Sequence, residues 1–226
     1  MTIPRTEAEE DAALAAVPCL AALIDIILRL LPFDPGAPMN ILELGGGSGV
    51  LAAAILQRFH GSHVTLLEES DQLLVAAEKR LSASAPGRYK LVPEAFDRTE
   101  MPRGFDAVVS LLRFHAVDEI ARRAVYRSVY GALLPNCLVL IADRLRAAGP
   151  GVTAMHVRAS PPPAGVELGR GLLLSNELPW LVSIGFRDVD VHYKNIDYGV
   201  YGGRRPAAAD FHFSEGMGDD EPRRRR

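Results

Sequence analysis

Short apolar runs alternate with amphipathic stretches along most of this chain. The runs at 40–44, 63–67, 89–92, 105–112 and 137–142 read as strands, most of them apolar at nearly every position, as strands buried on both faces are. The stretch at 89–92 is the weakest of them, and Leu134-Pro135-Asn136 reads as a turn ahead of the last. Between the runs, Leu51, Ala54, Ile55 and Phe59, then Leu73, Leu74, Ala77 and Leu81, recur at helical spacing. A third set, Ile120, Ala121, Ala124, Val125, Val129 and Leu133, does the same behind Asp118, which stands where it would cap that helix. The alternation predicts an α/β protein with a parallel sheet covered on both faces.

The two ends of the chain differ from this middle. Leu20, Leu23, Ile24, Ile27, Leu28 and Leu31 form one helix face, and N-terminal helices are expected over about 7–32, interrupted at Pro18. Asp25 and Arg29 within that stretch argue against a membrane span, and the acidic residues Glu7, Glu9, Glu10 and Asp11 before it argue against a secretory signal. The stretch 146–171 is rich in Gly and Pro and reads as a long loop. A short helix over about 176–184 should end at Gly185, and strands at 187–193 and 196–202 are joined too closely for anything but an antiparallel pair. The reading is one domain over 1–206, its core over about 39–205, followed by a disordered tail at 207–226.

With 226 residues, the chain is long enough for one or two domains, and 48% hydrophobic content excludes intrinsic disorder. A formal charge of −3 gives no global attraction to nucleic acid or to an anionic membrane. Arg223–Arg226 could touch a phosphate backbone, but three acidic residues stand just ahead of them, and a solvated tail is the default. Cys19 and Cys137 lack any nearby partner cysteine, which excludes a disulfide scaffold and a Cys-rich zinc site. A reducing, cytoplasmic location is expected. His60 and His63 have no Cys or carboxylate beside them, so no metal site is assigned.

The most informative segment is Glu43–Gly49, with Gly45, Gly46, Gly47 and Gly49 between the first strand and the following helix. Such glycines let the backbone turn tightly and approach a ligand, and the helix start offers free N–H groups. Glu68 ends the second apolar run, where a carboxylate can accept hydrogen bonds from ribose hydroxyls. A dinucleotide fingerprint fits poorly, since Val50 stands at its third glycine. Glu43 beside the loop would repel a pyrophosphate and suits a ligand with a cationic amino-acid end.

These residues resemble the class I S-adenosylmethionine-dependent methyltransferases, whose first motif reads acidic-x-Gly-x-Gly-x-Gly. The likeness continues at Val64–Ser70, at Phe105–Ser110, at Leu133–Asn136 and at Gly185–Val189, covering about residues 20–205. It implies a Rossmann-like doubly wound α/β/α sandwich, mostly parallel, with a C-terminal antiparallel strand pair. It implies S-adenosyl-L-methionine as cofactor, held by Glu43, Gly45, Gly46, Gly47, Gly49, Glu68, Glu69, Glu94, Ala95 and Ser110. Glu43 would lie near the amino group, Glu68 at the ribose and Glu94–Ala95 beside the adenine. Glu stands at 43, 68 and 94 where the family more often has Asp.

Methyl transfer is an in-line displacement, so alignment and exclusion of water supply much of the rate. A base is needed only where the acceptor must lose a proton. His115, just after the fourth strand, is the candidate base, set against an ordinary packing or solvated role. Ser110 and Arg113 are weaker candidates, and Arg113 could pair with an acidic substrate. The Asn-Pro-Pro-Tyr segment of relatives that methylate exocyclic or amide nitrogens is replaced by Ser110–Arg113. The expected function is methyl transfer to a small molecule. A catalytically silent binding protein of the same fold, an RNA methyltransferase and a nicotinamide-dependent oxidoreductase are the alternatives. Oligomeric state and acceptor are not encoded in any readable pattern.

Overall fold

The computed structural model describes residues 6–159 and 171–207. Two helices, α1 (Glu7–Ala15) and α2 (Leu20–Leu30), precede the strands. Then come β1 (Met39–Leu44), α3 (Val50–Arg58), β2 (Ser62–Leu67), α4 (Asp71–Ser84), β3 (Tyr89–Val92) and β4 (Phe105–Leu111). A 3-10 turn at Phe114–Ala116 leads into α5 (Glu119–Ala132) and β5 (Leu133–Arg144). The chain closes with α6 (Pro150–Ala159), α7 (Leu174–Ile184), β6 (Arg187–Asn195) and β7 (Tyr198–Arg204).

The seven strands form one sheet in the order β3-β2-β1-β4-β5-β7-β6. Neighbours from β3 to β5 are parallel, whereas β7 runs antiparallel to both β5 and β6. This is the predicted doubly wound sheet with its closing antiparallel pair. Strand residues alternate between two cores. Ile41, Val109 and Leu140 face the layer of α2 and α3, while Leu42, Val108 and Ile141 face the layer of α5 and α7. Both faces are covered, so strands with a period of two still read as unbroken apolar runs in the sequence.

Pro18 does break the N-terminal stretch, and α1 and α2 meet at 92°. No single described helix is long and apolar enough to cross a membrane. Helix α2 packs Leu23 and Ile27 into the core, whereas the buried residue of α1 is Glu10. Thr6 and Glu9 close α1 with a reciprocal capping box.

Two expectations need correction. The stretch 146–171 is not wholly a loop, because Pro150 opens α6 at a position where its missing N–H costs nothing. Leu134–Asn136 is not a free turn but the start of β5; Asn136 adopts φ 66° and its N–H still reaches the carbonyl of Arg205 at 2.7 Å. Residues 160–170 of that stretch, Pro161–Pro163 included, and the tail from 208 on, with Arg223–Arg226, lie outside the described residues.

Candidate active site

The strand order reverses between β1 and β4, and in open α/β sheets a ligand crevice lies at the carboxyl ends of the strands there. From the end of β1 comes the Gly45–Gly49 loop. From the end of β4 come Leu112, Arg113 and His115. Leu112 adopts φ 58°, a left-handed conformation that costs a branched aliphatic residue roughly 1–2 kcal/mol. Its N–H is nonetheless held by the Ala142 carbonyl at 2.8 Å. That forced turn sends Arg113 back across the glycine loop, where its Nε donates to the Gly45 carbonyl at 2.8 Å.

Two cavities of about 50 Å³ each lie on either side of Arg113, and Gly45 and Arg113 line both. The first is bounded by Glu43, Gly46, Leu111, Leu112, His115, Arg144 and Tyr198, with Ala13, Leu14 and Val17 closing it from the N-terminal segment. The second holds Glu68, Glu69, Glu94, Ala95 and Phe96. Sequence reasoning therefore brings most of its candidate residues to one cleft, split by one side chain.

Each candidate has a definite place. Glu43 is buried, and its Oε2 is the one buried side-chain oxygen or nitrogen without a hydrogen-bond partner among the described residues. Burial pushes its carboxyl up to about 8, Glu10 pushes the same way, and Arg113 opposes them. Glu68 accepts from the N–H of Gly47 through one oxygen and from that of Ser70 through the other, each at 2.9 Å. Glu69 pairs with Arg98 at 2.5 Å, and Glu94 accepts from the Thr99 hydroxyl. A Cβ on Gly46 would lie 2.2 Å from the Leu66 side chain, so that glycine lets the loop pack on β2. Gly47 takes φ 56°, open to glycine without strain.

Three of the candidates line neither cavity: Gly47, which Glu10 and Arg113 cover, Ser110 and Gly49. Ser110 is buried behind the loop, its hydroxyl donating to the Leu44 carbonyl at 2.8 Å, so it ties β4 to β1 and lines neither cavity. Gly49 also faces away; a Cβ there would touch Ala77 and Leu81 at 3.4 Å, so it serves the packing of α3 on α4.

His115 has a partner that the sequence did not single out. Asp143, at the end of β5, lies 2.6 Å from His115 Nδ1 and also accepts from the His115 backbone N–H at 3.2 Å. The register Leu111↔Ala142 is what sets these two residues side by side. A carboxylate can only accept, so Nδ1 carries a proton, and in the neutral ring Nε2 then presents a lone pair. Of the tyrosines, Tyr198 reaches the first cavity, while Tyr201 is wholly buried against Tyr126. His156 lies 3.2 Å from Asp197. Among the described residues, no group of three or more His, Cys, Asp or Glu is placed to hold a metal.

Comparison with known proteins agrees with this geometry. Residues 42–139 match the sequence model of a family described as "Methyltransferase domain". That match covers less than half of the chain, and the fold is shared with solved methyltransferases. A mitomycin biosynthesis 6-O-methyltransferase of Streptomyces lavendulae is 27% identical over 125 residues, 55% of this chain and 36% of that protein. The S-adenosylmethionine-dependent methyltransferase SibL, in its apo form, has a TM-score of 0.66 at 22% identity, covering 87% of this chain and 62% of its own. Human N-acetylserotonin methyltransferase, solved in complex with SAM, gives 0.64 at 19% identity over 90% and 57%. The chain thus spans about a third of the curated relative and roughly three-fifths of these two structures. In this chain the glycine loop and His115 line one crevice.

Proposed function

We propose that this protein is an enzyme that binds S-adenosyl-L-methionine and transfers its methyl group to a hydroxyl oxygen of a small molecule. The observation that carries the reading is a single cavity lined by Glu43 and the glycine loop on one side and by His115 on the other. The name of the Streptomyces relative supports oxygen as the acceptor and a small molecule as the substrate.

The residues fit the cofactor. The unpartnered Glu43 oxygen would accept from its amino group, which would also stabilise the ionised carboxylate. Glu68 would meet the ribose hydroxyls, and Glu94, Ala95 and Phe96 would wall the adenine. When bound, the cofactor supplies an electrophilic methyl on a sulfonium. The chain does the rest. His115 Nε2 accepts the proton of the acceptor hydroxyl, and Asp143 holds the ring in register and stabilises the imidazolium that results. Leu111 and Leu112 keep water from the reacting atoms. We place the enzyme in the cytoplasm, where free Cys19 and Cys137 would stay reduced.

Calorimetry with S-adenosylhomocysteine tests the cofactor, and release of that product from a panel of phenols and naphthols tests the acceptor. His115→Ala and Asp143→Asn should lower turnover about 10²–10⁴-fold without weakening S-adenosylhomocysteine binding. Absence of binding to the wild type would sink the proposal.

A further inference from the structure

The cleft contains a carboxylate that belongs to the chain itself. Glu10, on α1, accepts from the Ser48 N–H at 2.8 Å and pairs with the Arg113 guanidinium. Both side chains are 6% exposed. A Cβ on Gly47 would meet Glu10 Oε1 at 1.8 Å and Arg113 Nη2 at 2.2 Å, so this pair lies directly on the loop. Helix α1 has little else to hold it down. Glu10 is its buried residue, its neighbours are mostly exposed, and the chain bends by 92° between it and α2.

The cleft is consequently too small for its task. Pockets that hold drug-sized ligands measure about 300–1,000 Å³, against about 50 Å³ on each side of Arg113. Arg113 lines both halves, as Gly45 does, and Glu10 pairs with its guanidinium. Beside this pair, the unpartnered oxygen of Glu43 faces the first cavity, asking for a cation. A loop N–H, a guanidinium and a lone acidic oxygen together match a zwitterionic amino acid: carboxylate to Ser48 and Arg113, ammonium to Glu43.

We infer that Glu10 is an internal stand-in for the carboxylate of an amino-acid-bearing ligand, so that α1 latches the cleft shut until such a ligand displaces it. Ser48 N–H and Arg113 are then the carboxylate subsite, and their exchange of partners opens the cleft. The inference rests on the cofactor reading above, and names how that site is regulated.

The test compares wild type, Glu10→Ala and Glu10→Gln, first without ligand, by amide hydrogen exchange. Exchange over residues 10–16 should rise in both variants; unchanged protection would show that Glu10 latches nothing. Binding of S-adenosylhomocysteine and of its decarboxylated analogue follows, by calorimetry. Removing the latch should tighten the carboxylate-bearing ligand at least tenfold if Glu10 leaves Ser48 and Arg113 free at most a tenth of the time, and the decarboxylated one, which does not compete with Glu10 for them, distinctly less. Equal gains for both would reduce α1 to a steric cover, and weaker binding would make Glu10 part of the site; either overturns the carboxylate subsite. In the wild type, S-adenosylhomocysteine should raise exchange in α1, whereas a helix that closes over its ligand would lower it. If no form binds S-adenosylhomocysteine, the cofactor reading fails, and the latch stands or falls on the ligand-free exchange.

Discussion

A carboxyl group that keeps its proton up to about pH 8 leaves a mark on stability as well as on binding. Burial raises the Glu43 pKa in the folded chain, so the unfolded chain ionises first as pH rises. Stability from this group is complete below the unfolded value near 4.5 and declines as pH climbs through about 8. Glu10, Glu68 and Arg113 are the charges that face it. Glu43→Gln mimics the protonated form, so urea unfolding should show the variant matching wild type near pH 5 and exceeding it at pH 8. A second buried carboxyl is structural. Glu177 accepts from Arg122 Nη2 at 2.9 Å and from the Tyr126 hydroxyl at 2.5 Å, below a Tyr126–Tyr201 contact. Glu177→Ala would strand the Arg122 cation in the interior and should cost about 3–5 kcal/mol in denaturant unfolding. Glu43, Glu68 and His115 were legible because motif and strand end mark them locally. Glu10, Asp143 and Glu177 were not, since each meets partners that no local spacing connects to it.

At the scale of elements, the sequence was most informative where burial is two-sided or a cap is explicit. The Asp118 carboxylate accepts from the N–H groups of Ile120 and Ala121 at 3.0 and 2.9 Å, as its position before α5 suggested. Asp118→Ala should therefore lower stability by about 1 kcal/mol, read as a fall in thermal midpoint. Gly185 ends α7 in the left-handed conformation, again as expected. The misjudged elements are those whose partners are remote. Leu134–Asn136 looks like a turn because Pro and Asn dominate it, yet pairing with the chain after β7 keeps it in the strand. Helix α6 has no buried residue, so no apolar periodicity announces it.

For the whole molecule, strand order decides where everything lies. Parallel strands bring the β1 and β4 ends to one edge, and the antiparallel β7 returns the chain to the opposite edge. The register sets Arg144 against Tyr198 at the cleft and Leu138 against Arg204 at the far end. At roughly 3.3 Å per residue, that separates them by about 20 Å. The Arg205 side chain is fixed there to the carbonyls of Tyr130 and Leu133. The described chain thus has a working end and a fastened end. Arg205→Ala, at that far end, should leave S-adenosylhomocysteine affinity within twofold, and a tenfold loss would contradict this placement. A fluorophore attached to α1 itself would report each opening of the cleft by its orientation. Position in the chain has become position in the molecule: the first described helix carries the proposed latch, and the described end is an anchor.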